Sequence, residues 1–169
     1  MRQGRAFVVA ALALLVALAG HAHAEKQWTE YRNQELGFRM LVPPGVQPVT
    51  QLAPDGWGSI SFKAGSATTV SAVVKMGPAV PVDRIRQYAA GVAGLSADHW
   101  TRVGDPARDA AAGFTWVEAW TASDGNTLIV AILGHGSRGN YVIFVTTTVK
   151  QYQKAQPQFA AWASSIRVF

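Results

Sequence analysis

Phe114, Trp116, Glu118 and Trp120 fall at every second position. In an extended strand such residues project from one face, so this run sets aromatic rings on either side of a carboxylate. Left open, the face could stack a sugar or clamp an apolar peptide, with Glu118 accepting hydrogen bonds. Covered by the C-terminal helix, it would be core, and Glu118 would need a cationic or hydroxyl partner. Core or edge packing is the simpler expectation. Trp57, in Pro54-Asp55-Gly56-Trp57-Gly58, and Trp100 are two further candidates for aromatic contact, each expected to be partly packed.

Other chemistry is harder to assemble. Gly134-His135-Gly136-Ser137-Arg138-Gly139 is a literal G-x-G-x-x-G. A dinucleotide site needs those glycines to open a helix, with an acid about 20 residues further on. A β-rich run follows here instead, and no Asp or Glu occurs after Asp124. A flexible hairpin turn explains the glycines. Cysteine is absent, and His99 and His135 lie far apart, without the spacing of a metal site. No G-x-S-x-G elbow supports serine catalysis. No catalytic residue, metal ligand or cofactor is therefore assigned.

The elements that must position these residues follow from periodicity and breakers. A short strand, a turn at Asn33-Gln34 and a strand from Gly37 to Val42 end at Pro43-Pro44-Gly45. Ser59 to Lys63 and Thr68 to Met76 read as a hairpin, the second arm rich in β-branched residues. From Pro81 to Val92 the period becomes helical, with Ile85, Tyr88, Ala89 and Val92 on one face and Gly91 and Gly94 suited to its end. Phe114 to Thr121 and Asn126 to Leu133 flank Ser123-Asp124-Gly125, a strong hairpin signal. The near-continuous apolar run from Tyr141 to Val149 suggests a strand covered on both faces. Lys150 to Ser164 reads as a helix, with Pro157 allowed only near a first turn, and Ser165 to Phe169 as a closing strand. The expected fold is one α+β domain, a mostly antiparallel sheet packed with helices.

The N-terminal 24 residues read as a cleavable secretory signal. Arg2 and Arg5 precede a 15-residue apolar run, Ala6 to Gly20, and Ala22 and Ala24 supply the small side chains a signal peptidase recognises. The run is too short to span a bilayer, which needs about 20 apolar residues. No cysteine follows it for lipidation. The remaining 145 residues, 25–169, are enough for one core without disulfides. They carry thirteen Lys and Arg against ten Asp and Glu. The basic residues are neither clustered nor interleaved with exposed aromatics, which disfavours nucleic acid. A soluble periplasmic or secreted protein with no membrane span after processing is expected.

The stretch Tyr31-Arg32-Asn33, Leu36-Gly37-Phe38-Arg39-Met40 and Pro43-Pro44-Gly45 resembles the first hairpin of the PsbP-like fold. The ending, a proline-started helix with Phe159 running into Ser164-Ser165-Ile166-Arg167-Val168-Phe169, is similar to that family's ending. The resemblance covers most of residues 28–169 and implies an α/β/α sandwich. It also implies a binding or assembly module in preference to an enzyme. The expectation is an exported, non-enzymatic binding or accessory protein acting on a protein or envelope partner. The alternative is a small-molecule or glycan binder, or a weak hydrolase, using the Trp116, Glu118 and Trp120 face.

Overall fold

The computed structural model describes residues 28–103 and 112–169. The signal-like segment, with Ala22 and Ala24, lies outside the described residues. Ten strands run in the order β1 (Thr29–Asn33), β2 (Phe38–Val42), β3 (Val49–Leu52), β4 (Trp57–Lys63), β5 (Thr69–Met76), β6 (Trp100–Val103), β7 (Trp116–Ser123), β8 (Thr127–His135), β9 (Gly139–Thr148) and β10 (Arg167–Val168). Helix α1 (Val82–Ala93) joins β5 towards β6, while α2 (Val149–Lys154) and α3 (Gln156–Ser165) lie between β9 and β10.

Seven strands form the central sheet, in the order β3-β4-β5-β9-β8-β7-β6, every neighbouring pair antiparallel. A second sheet, β1-β2-β10, is also antiparallel. It closes over one face of the first through Phe38, Met40 and Val42, which pack with Ile60, Val70, Val74, Tyr141 and Ile143. Trp162 and Ile166 complete that layer. On the other face Ile85 and Ala89 of α1 cover Ile129, Ala131, Leu133, Val142 and Phe144. Strand β9 is thus buried from both sides over Gly139 to Val145, as its unbroken apolar run implied.

The mostly antiparallel α+β architecture stands as read from the sequence, with three physical differences. The closing helix is two helices, because Ala155 leaves the helical region (φ −118°, ψ 22°) and Pro157 starts a new first turn. Val92 shares the helical phase of Ile85 yet remains 51% exposed, in the last turn before the αL glycine Gly94 that ends α1. Strands β3 and β6 escape pattern reading because both are four-residue edges of the sheet, mostly exposed, with no alternation to detect.

The G-x-G-x-x-G segment forms the turn of the β8–β9 hairpin, closed by the Gly136 N–H donating to the Gly139 carbonyl. Its glycines also permit close packing. A Cβ on Gly134 would lie 2.5 Å from the Phe114 ring and 2.9 Å from the Trp116 carbonyl oxygen. One on Gly136 would meet Tyr141 and Val168 at 2.9 Å, and one on Gly139 would strike the Lys75 carbonyl. The absence of side chains lets β5, β9 and β10 crowd together at this corner.

Candidate functional site

Strand β7 carries the residues with the best chemical prospects. Trp116, Glu118 and Trp120 share the face turned towards α1, as alternation requires. Phe114 does not join them. It precedes the strand, just after Gly113 at φ +84°, and packs into the opposite core with its ring edge-on to Tyr141 at 5.9 Å. The cover is α1, from the middle of the chain, and not the C-terminal helix, which lies on the far face with Phe38 and Met40.

Glu118 is only 4% exposed. Arg86 of α1 meets it with both edges of its guanidinium fork, Nη2 to Oε1 at 2.7 Å and Nε to Oε2 at 3.0 Å. The Trp120 indole N–H donates to Oε2 at 3.0 Å, and Arg102 Nη1 stands 3.7 Å from Oε1. Burial by itself pushes the carboxyl up. The hydrogen bonds from Arg86 and Trp120, with the charges of Arg86 and Arg102, outweigh it and hold Glu118 below the ordinary carboxylate range. In return the pair raises the Arg86 guanidinium above its already high value, despite the desolvation that opposes it. Asp83 takes the remaining Arg86 edge at 2.9 Å, and the Arg86 fork lies 5.6 Å over the Trp120 ring. The acceptors of Glu118 are therefore engaged inside the protein.

The covering helix leaves a cleft on each flank. Towards β6 and β7, Asp83, Arg86, Gln87, Ala90, Trp100 and Trp120 line a cleft of about 310 Å³. Towards β4 and β5, Trp57, Val73, Lys75, Arg84, Tyr88 and Val142 line a second, almost wholly apolar cleft of about 340 Å³. Trp57 begins β4 and stacks on Tyr88 of α1, centroids 4.9 Å apart, with Lys75 Nζ 5.2 Å over its ring. Trp116 is turned away from both and rests against His135 at 5.0 Å. Among the described residues, no three His, Cys, Asp or Glu come together as metal ligands.

The structure thus gathers Glu118 and Trp120 at one cleft, places Trp57 at the other, and leaves Trp116 in the packing between sheet and strand end. Sequence reasoning missed Arg86, Tyr88 as a stacking partner, and Asn140. The Asn140 amide donates to the Lys75 and Pro78 carbonyls and accepts from the Val80 N–H, fixing the approach to α1. One signal was available for Arg86. Asp83, Arg86, Gln87 and Ala90 form a second i, i+3, i+4, i+7 stripe beside the buried one, and an inward acid demands a base.

Neither a protein-family model nor a curated protein matches the sequence. A solved structure does. The solution structure of cyanobacterial PsbP (CyanoP) from Synechocystis sp. PCC 6803 aligns over 88% of this chain and 96% of its own, with a TM-score of 0.53 and 12% identity. The likeness supports a PsbP-like fold for this chain. No helix among the described residues is long and apolar enough to cross a membrane.

Proposed function

We propose that this PsbP-like chain is an exported, non-enzymatic binding or accessory protein, released from residues 1–24 on export into the periplasm or beyond. Its α1 face receives apolar elements of a protein or envelope partner. The observation that carries the reading is the pair of aromatic clefts flanking α1. Each combines an apolar wall with one or two cations at its edge, the usual make-up of a recognition site. The buried carboxylate beneath α1 serves the architecture. Clamped by Arg86, Glu118 has no proton to donate near neutral pH, which argues against a hydrolase built on it.

The Trp100 and Trp120 cleft favours a second reading, a small-molecule or glycan binder. Its contact surface would then be those two rings, not the Trp116, Glu118 and Trp120 row. Affinity capture of the exported protein from its native envelope separates the two. A partner held by the parent and lost from Trp57→Ala and Trp120→Ala, both folded by circular dichroism, supports the accessory role. A partner held equally by parent and variants would remove the α1 face from the account.

A further inference from the structure

The outer face of the three-stranded sheet carries an arrangement that folding alone disfavours. Arg32 of β1 and Arg167 of β10 both lie directly opposite Arg39 of the central strand β2. Directly opposed residues stand about 4.5–5.5 Å apart between Cα atoms, so the three arginines start from one row of Cα atoms across the sheet, about 10 Å long. Like charges directly opposite each other destabilise a sheet. Phe38, Met40 and Val42 point inward, so the alternate position Arg39 faces out, and its two partners face out with it.

Each arginine is held in place, and among the described residues only Arg39 meets a carboxylate. Arg39 Nη1 meets Glu30 at 2.8 Å. Arg167 Nη1 donates to the Ser164 and Ile166 carbonyls at the C-terminal end of α3. The Arg32 guanidinium stacks 4.0 Å over the Phe169 ring. Among the described residues one carboxylate is thus paired with the row of three cations, and a guanidinium has five donors. Half-buried Leu41 and Phe169 supply apolar surface around the row. Both aromatic clefts lie across the central sheet, beneath α1, so this face is separate from the surface assigned above and its role is independent of that reading.

We propose that this face docks onto an anionic phospholipid surface, with Arg32, Arg39 and Arg167 contacting headgroup phosphates. The guanidinium fork matches phosphate oxygens two at a time. A level row of cations with aromatic and aliphatic neighbours suits a broad charged plane. The like-charge cost is then offset on the membrane.

Co-sedimentation with phosphatidylglycerol-containing and pure phosphatidylcholine vesicles tests this, using the protein as its cells process it. The parent binds the anionic vesicles selectively, and binding weakens with salt. Each arginine contributes about fivefold, so the triple variant Arg32→Gln, Arg39→Gln, Arg167→Gln loses on the order of a hundredfold. Circular dichroism checks that the triple variant is folded. Glu30→Gln, which keeps all three arginines, binds several-fold tighter. No selective binding by the parent, or undiminished binding by the triple variant, would overturn the proposal. So would a parent that ignores vesicles but binds polyglutamate, which would point to an acidic protein instead.

Discussion

Glu118 and Arg86 show how one buried charge organises its surroundings at the residue scale. Glu118 is ionised more readily than a free carboxyl, so its contribution to stability is present above the ordinary carboxyl value of 4.5 and is lost as pH falls through the lowered folded value. Arg86→Ala removes the hydrogen bonds and the charge that do most to hold that value down. Burial, the strongest influence on this carboxyl, is then opposed by Trp120 and the more distant Arg102. Urea unfolding is expected to show a loss of about 2–3 kcal/mol at pH 7, below the usual cost of stranding a buried charge because Arg86 is itself part-exposed. The deficit shrinks towards pH 3.5, as protonation of Glu118 weakens the ion pair that the parent alone possesses. An equal deficit at both pH values would mean that the guanidinium acts by packing alone. Period-two reading placed Trp116, Glu118 and Trp120 on one face correctly. It failed for Phe114, because the alternation begins only at Trp116, and it gave no sign of Arg86, whose partner lies 32 positions away and on another element.

At the scale of elements, glycines separate the constraints of helix and sheet. Gly91 lies within α1, with nothing within 4 Å of a Cβ built on it. Gly91→Ala is therefore expected to stabilise the protein by about 0.5–1 kcal/mol, the helical cost of glycine. Gly139→Ala places its methyl group on the Lys75 backbone and is expected to cost about 1–3 kcal/mol or more. Thermal unfolding of the two variants measures both, and opposite signs are predicted. Most elements were legible because they carry a strong period or a breaker. Ile85 and Ala89 mark α1, Asp124-Gly125 marks the β7–β8 turn, and the Tyr141 to Val145 run marks the covered strand β9. What hides β3 is that its four residues are all exposed, with Val49 62% and Leu52 56% accessible, so no burial pattern exists to be read. The packing role of Gly134, Gly136 and Gly139 was missed for a related reason. Close approach between β5, β9 and β10 is a long-range fact, invisible in a local string.

Across the whole molecule, three layers divide the work. Among the described residues, the central sheet is covered by the small sheet and α3 on one side and by α1 on the other. An aromatic cleft lies on each flank of α1 over this sheet. The sandwich was foreseeable from element order and its resemblance to the PsbP-like fold. Which helix covers β7 was not, because both helices offer apolar residues in sequence, Ile85 and Ala89 in one and Phe159 and Trp162 in the other. The claim that α1 presents the partner-binding face is tested most directly by site-specific photo-crosslinking in the native envelope. A benzophenone side chain would replace Gln87, exposed at the lip of the Trp100 and Trp120 cleft, with Ser66 in the β4–β5 turn as the control position. Discrete adducts from position 87, absent from position 66 and abolished by Trp120→Ala, are the predicted result. Adducts of equal pattern from both positions, or none from position 87, would contradict it.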